Sequence, residues 1–172
     1  MHLFLSGLGF GLVLQIAVGP VCLAVLHKAL SERWLAAWSM VWGVALADAL
    51  YIGLAAAGMA ALMQVPALRV GLGFAGALVL GYFAYRTWRA PVTEAVAAPK
   101  RSGVWASLLY GIGITLTNPL TVLFWGGVFG RLVIGAQFAP AALAVYALGC
   151  IAATLLFLTL VASGANQARR FL

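Results

Sequence analysis

Asp48 is the one acidic residue inside a long apolar run, and a carboxyl group in that setting can exchange a proton. The rest of its run, 34–63, carries no charged side chain. An ionisable side chain near the bilayer centre costs about 2.5–3.5 kcal/mol on insertion scales, so such residues usually face a cavity and have a function. Asp48 is therefore the candidate proton-coupling residue. The alternative is a structural aspartate that ties neighbouring helices together by hydrogen bonds.

Two other apolar runs are interrupted by proline, at Gly19-Pro20 and at Asn118-Pro119. Proline removes a helical hydrogen bond, and in hydrocarbon the freed carbonyl needs a protein partner or a water-filled cavity. Such breaks at membrane depth are typical of transport sites. The polar side chains beside them either satisfy the freed backbone or bind a zwitterionic head group, whose carboxylate a half-helix N-terminus attracts. The candidate substrate-path residues are Gln15, Gly19, Pro20, Tyr51, Thr115, Thr117, Asn118, Pro119 and Thr121.

The elements that must position these residues are transmembrane helices. The chain is 65% hydrophobic and 8% charged, whereas soluble domains carry about 25% charged residues. Its apolar runs approach or exceed the roughly 20 residues that a span needs. The sequence predicts an all-α polytopic membrane protein with five spans, and a short polar turn over 27–33. The predicted spans are 3–26, 34–63, 67–85, 102–130 and 140–163.

The spans divide into two halves separated by a basic linker. Residues 1–85 hold three spans, residues 86–103 form the linker, and residues 104–172 hold two spans. Each half begins with a proline-broken helix, and an odd number of spans separates the two breaks. This predicts an inverted 3+3-type repeat, in which helices one and four are equivalent and a sixth helix is missing from the second half.

The basic residues predict the orientation. Loops taken alternately place eight on one side and two on the other, and the richer side faces the cytoplasm. The eight are Lys28, Arg33, Arg86, Arg89, Lys100, Arg101, Arg169 and Arg170, and the two are Arg69 and Arg131. The N-terminus is then outside and the linker is cytoplasmic. The net charge of +7 lies at span ends, which favours lipid headgroups as partners over nucleic acid.

The sequence contains no recognisable set of catalytic residues. No His, Cys, Asp or Glu cluster has metal-ligand spacing, and no Ser-His-Asp set can be assembled. We therefore expect neither an enzyme nor a metal or cofactor.

Cys22, beside Pro20, leaves open a thiol-redox electron carrier, but its repeat-equivalent position is Thr121 and Cys150 falls in another helix. A non-transporting membrane subunit is a third hypothesis, and small-residue pairs offer faces for a homo-oligomer. These pairs are Gly7/Gly11 and Gly126/Gly130.

Three short motifs, in this order, resemble the LysE/RhtB-type (lysine exporter, homoserine-threonine exporter) family of bacteria. They are Val18-Gly19-Pro20-Val21, then Gly43 with Asp48 and Tyr51, then Leu116-Thr117-Asn118-Pro119. The resemblance implies a six-helix protein of the inner membrane that exports amino acids or related small metabolites, driven by the proton gradient. The expected partners are a small-molecule substrate, protons and membrane lipids, and the expected activity is that of an antiporter. Because no second acidic residue lies within a predicted span, neutral amino acids are favoured.

Overall fold

The described part of the chain is built from helices. The computed structural model describes residues 2–16, 19–56, 102–118 and 138–169, together with positions 65, 70, 74, 85, 120, 121, 124 and 125. Five long helices lie in these ranges: α1 His2–Ile16, α2 Pro20–Ser31, α3 Trp34–Leu54, α4 Val104–Leu116 and α5 Pro140–Ala168. Most of the predicted third span and nearly all of the linker lie outside the described residues. Within the described ranges there is no strand, so the predicted all-α class is confirmed.

Two helices in the described ranges, α3 and α5, are long and apolar enough to cross a membrane by themselves. Helices α1 and α2 together make a third candidate span, broken between them and bent by 80°. Helix α4 is apolar but shorter. These lengths and compositions confirm a helical membrane protein.

The predicted polar turn at 27–33 is wrong over residues 27–31, because α2 continues to Ser31. Two local interactions stabilise the polar C-terminal end of α2. The Ser31 hydroxyl donates to the His27 carbonyl at 2.8 Å, and Lys28 forms an ion pair with Glu32 one turn later. Helix α5 likewise runs five residues beyond its predicted end at 163, to Ala168, because buried Ala165 continues its packed face.

Helices α1 and α5 pack with their backbones in close contact through glycines. A Cβ placed on Gly7 would lie 2.1 Å from the carbonyl oxygen of Tyr146, and one on Gly149 would lie 2.3 Å from that of Phe4. Gly11 faces Cys150 in the same way. Close approach of this kind adds dispersion contacts where lipid removes the hydrophobic driving force. Gly7 and Gly11, considered above as an oligomer face, are therefore covered by α5 of the same chain, while Gly126 and Gly130 lie outside the described residues.

Helices α3 and α4 form a second glycine contact. A Cβ on Gly43 would lie 2.1 Å from the carbonyl oxygen of Leu108, and one on Gly111 would lie 2.3 Å from that of Met40. Gly113, two residues further along α4, has open space around its Cβ position. The side chains between the helices form two apolar clusters, one around Met40 at the α2 end and one containing aromatic rings around Tyr146.

We expect Gly111→Ala to destabilise the protein and Gly113→Ala to leave it unchanged or slightly more stable. The first methyl group meets backbone that cannot rotate away, so α3 and α4 must separate, at a cost of about 1–3 kcal/mol. The second enters open space and gains up to about 1 kcal/mol of helix propensity. Thermal unfolding midpoints of the two detergent-purified variants would measure the difference. Equal midpoints would contradict the close contact.

Candidate functional site

Asp48 lies near the centre of the described helices and both of its carboxylate oxygens are hydrogen-bonded. The residue is 4% exposed. The indole Nε1 of Trp125 donates to Oδ1 at 2.9 Å, and the hydroxyl of Thr154 donates to Oδ2 at 2.9 Å. Among the described residues, no basic side chain forms an ion pair with this carboxylate. Its negative charge is therefore stabilised by neutral donors, which suits a group that changes its charge.

Thr154 extends this arrangement to the first broken helix. The side-chain amide of Gln15 donates to the Thr154 hydroxyl oxygen at 3.0 Å. We call the connected side chains Gln15, Thr154, Asp48 and Trp125 the Asp48 chain. It joins α1, α5, α3 and the segment after the second break. The Asp48 chain thus links Gln15, a predicted substrate-path residue, to Asp48, the predicted proton-coupling residue.

Trp125 and Thr154 are the members of the Asp48 chain that sequence reasoning did not single out. Trp125 is one of 6 tryptophans and lies in an apolar stretch. Thr154 is one of several hydroxyl-bearing residues of α5, along with Thr159 and Ser163. Nothing in the sequence around Thr154 distinguishes it from these other residues. Only the packing of α5 against α3 shows that Thr154 faces Asp48. The sequence signal was thus no more than a hydroxyl within an apolar helix.

At the second break, polar side chains satisfy backbone groups. The Tyr51 hydroxyl donates to the carbonyl of Leu116 at 2.8 Å. The side-chain oxygen of Asn118 accepts the backbone N–H of Leu120 at 3.2 Å, which is the bond of a helix N-cap. The amide of Asn118 also donates to the hydroxyl of Thr121 at 2.9 Å. Tyr51, Asn118 and Thr121 are therefore brought together here, while Pro119 lies outside the described residues.

The other two threonines beside this break turn back onto their own helix. Thr115 donates to the carbonyl of Gly111, and Thr117 donates to that of Gly113, each at 2.8 Å. Thr115 is buried and Thr117 is exposed. Backbone bonding of this kind is the role that the alternative interpretation gave to the polar residues near the prolines.

The first break is capped differently from the second. Gly19 precedes α2 in an extended conformation, with φ −103° and ψ −177°, and Pro20 stands in the first turn. The Gly19 carbonyl accepts the first helical bond, from Leu23 at 3.2 Å. No side chain caps this N-terminus, whereas Asn118 caps the chain after the second break. The amide groups of the first turn of α2 therefore have no side-chain acceptor at Gly19.

We expect Thr154→Val to destabilise the protein, while Thr154→Ser preserves its stability. Valine has nearly the same shape but leaves the Gln15 amide and one Asp48 oxygen without their partner. Unsatisfied buried polar groups cost about 1–3 kcal/mol each. Serine keeps the hydroxyl and both bonds. Thermal unfolding of the two purified variants in detergent would measure the loss, and equal stabilities would argue against a hydrogen-bonded Thr154.

Comparison of this chain with known proteins relates it to a family. The family model described as LysE type translocator matches residues 12–172. The "Putative amino acid efflux protein YcgF" of Bacillus subtilis is 33% identical over 138 residues, covering 77% of this chain and 65% of the relative. The "Chemotactic transduction protein ChpE" of Pseudomonas aeruginosa is 25% identical over 136 residues, covering 77% and 66%. The matched region is thus less than two thirds of either relative, and no solved structure matches the chain.

Proposed function

The chain belongs to the LysE type translocator family, and from this we propose that it exports amino acids or similar small metabolites in exchange for protons. The observation that carries the proposal is the buried Asp48 carboxylate, hydrogen-bonded to Trp125 and, through Thr154, to Gln15. Export agrees with the efflux role in the name of YcgF. The protein would act as an antiporter in the bacterial inner membrane, with its N-terminus outside and its linker in the cytoplasm.

The chemistry of the Asp48 chain supports proton coupling. An ionised carboxylate only accepts hydrogen bonds, whereas a protonated one also donates. The indole of Trp125 is a donor only and cannot adapt to that change. The hydroxyl of Thr154 can both donate and accept, so protonation of Asp48 reverses the bond on this side. Because Thr154 also holds Gln15, the reversal reaches the helix that ends at the first break.

The two breaks support a zwitterionic substrate. The N-terminus of α2 has no side-chain cap, and backbone N–H groups at such an end attract a carboxylate. Tyr51 and Asp48 lie one turn apart on α3 and offer a hydroxyl and a carboxylate to an ammonium group. Because Asp48 is the only acidic residue within the predicted spans, a basic substrate side chain would have no counter-ion besides the one that meets the ammonium group, so the site suits neutral amino acids. Tyr51, Asn118 and Thr121 then form the wall of the path at the second break.

Helix packing supports the inverted repeat of residues 1–85 and 104–172. In such a repeat, the first helix of one half corresponds to the first helix of the other, and the second to the second. The glycine contact between α1 and α5 then corresponds to the one between α4 and α3. Each broken helix packs its first limb against the long helix of the other half, and Asp48 lies where the two pairs meet.

We expect Asp48→Asn to lower proton-driven efflux by about tenfold or more, the effect of losing at least ~1.4 kcal/mol in the transport step. Asparagine keeps an oxygen for Trp125 but cannot ionise, so membrane insertion and folding are retained. Efflux from proteoliposomes loaded with a panel of neutral and basic amino acids, with and without a pH gradient, would measure this. Glu94→Gln, which removes the acidic residue of the predicted linker, is the matched control.

Two results would contradict this function. Efflux at the parent rate in Asp48→Asn would remove Asp48 from coupling. Absence of efflux for the whole panel in the purified parent chain would favour a non-transporting membrane subunit, the second candidate, which agrees with the signalling role in the name of ChpE. The redox alternative has little support, because Cys22 and Cys150 are both buried free thiols that belong to different apolar clusters.

A further inference from the structure

A second buried polar cluster lies at the C-terminal end of α2, away from the Asp48 chain. The ammonium group of Lys28 and the carboxylate of Glu32 form an ion pair at 3.0 Å. Each residue is 4% exposed, although both stand in the polar stretch that the sequence analysis placed at the membrane surface. A buried pair of charges at that position needs an explanation that packing alone does not give.

The pair is hydrogen-bonded across to the start of α4. Lys28 donates to the Ser102 hydroxyl at 2.7 Å, and that hydroxyl lies 2.9 Å from a Glu32 oxygen to which it donates. The backbone N–H of Ser102 also donates to Glu32, at 3.2 Å. The Lys28 ammonium lies 5.6 Å from the centre of the Tyr110 ring, within cation–π range. We call Lys28, Glu32 and Ser102 the Glu32 cluster.

The end of α5 joins the same cluster. The guanidinium of Arg169 donates to the backbone carbonyl of Glu32. Burial raises the pKa of the Glu32 carboxyl, but hydrogen bonds from Lys28 and Ser102 and the charge of Lys28 outweigh it and lower the pKa below its ordinary value. The carboxylate is therefore ionised at neutral pH. The cluster connects α2, α4 and α5 at the end of the bundle that is predicted to face the cytoplasm.

The Glu32 cluster differs physically from the glycine contacts. Replacing a buried ion pair by apolar groups is often neutral or stabilising, so such a pair is weak evidence for a purely stabilising role. Helices α2 and α4 make few other contacts with each other, whereas glycines bring α3 against α4 and α1 against α5 at backbone distance. Helix α2 packs instead against α3 and α5, where Val25 and Ala29 are fully buried in the apolar cluster around Met40. The junction between α2 and α4 is therefore held mainly by the polar contacts of the Glu32 cluster.

The charges are also arranged so that parting leaves none of them buried alone. Lys28 and Glu32 stand four residues apart at the end of α2 and remain paired when Ser102 leaves. The bonds to Ser102 and Arg169 and the contact between Lys28 and the Tyr110 ring break, and water entering the gap hydrates the exposed groups. When α2 and α4 come together again, the water leaves and the bonds to Ser102 and Arg169 form again.

From this arrangement we propose that the Glu32 cluster is a latch that closes the cytoplasmic end of the transport path and opens once in each cycle. The proposal rests on the proposed function and on the predicted orientation. When the latch opens, α2 moves away from α4 and exposes Ser107, which is fully buried behind Ser102 with the two hydroxyl oxygens 3.2 Å apart. The Asp48 chain, deeper in the bundle, then becomes reachable from the cytoplasm.

The test measures how fast a cysteine behind the latch reacts from the cytoplasmic side. The reporter is Ser107→Cys in a chain that also carries Cys22→Ala and Cys150→Ala. It is labelled with a membrane-impermeant maleimide in inside-out vesicles. Ser102→Ala removes the hydroxyl from the latch but leaves the ion pair of Lys28 and Glu32 intact, so it avoids an unpaired buried charge. We expect it to raise the labelling rate about fivefold or more, the effect of weakening the closed state by about 1 kcal/mol.

Two control variants keep the result specific. Ser102→Thr retains the hydroxyl and should label at the parent rate. Ser31→Ala removes an exposed hydroxyl that bonds only within α2 and should also have no effect. An unchanged rate in Ser102→Ala, or equal acceleration in both controls, would overturn the latch. Because labelling needs no substrate, the two proposals can fail separately. Accelerated labelling in a chain that exports nothing would show that Ser102 holds this contact closed but would overturn both the proposed function and the latch's part in a transport cycle.

Discussion

The structure depends on one requirement, which is that a carboxylate buried among apolar helices must have hydrogen-bond donors on both oxygens. An unpaired buried carboxylate would be neutralised or would keep the helices apart. Asp48 obtains its donors from the segment after the second break and from α5, through Trp125 and Thr154. These two bonds connect Asp48 on α3 to α5 and to the segment after the second break. Interhelical hydrogen bonds of this kind favour one arrangement of helices that apolar packing in a membrane leaves weakly defined.

Glycines make these bonds reachable. On α1, Gly11 lies one turn before Gln15, and a Cβ at Gly11 would lie 2.6 Å from that of Ala153, the neighbour of Thr154. With a larger residue at Gly11, α1 would stand further from α5 and the Gln15 amide would not reach the Thr154 hydroxyl at 3.0 Å. The helix contact and the polar chain are thus parts of one arrangement, in which close backbones position the side chains that contact Asp48.

Much of this arrangement was predictable, because membrane helices follow from composition and breaks follow from proline. The buried position of Asp48, the ends of α1 and α4 and the small-residue face of Gly7 and Gly11 all rest on local patterns. The partners of Asp48 do not, because Trp125 and Thr154 are 77 and 106 residues away in sequence. The sequence likewise predicted Lys28 to lie in a polar turn rather than in a buried contact. Its local composition is polar, and the partner that buries it, Ser102, is 74 residues away.

The two polar centres differ in the groups that hold their carboxylates. Among the described residues, Asp48 is held by neutral donors, so gaining a proton removes its only charge and leaves no opposite charge stranded. Glu32 is held by Lys28, and its protonation would leave a buried ammonium without its counter-ion, which costs several kcal/mol. Proton exchange is therefore compatible with the first centre and opposed at the second. The second can instead keep its charges fixed and exchange hydrogen-bond partners, which is the behaviour that the proposed latch requires.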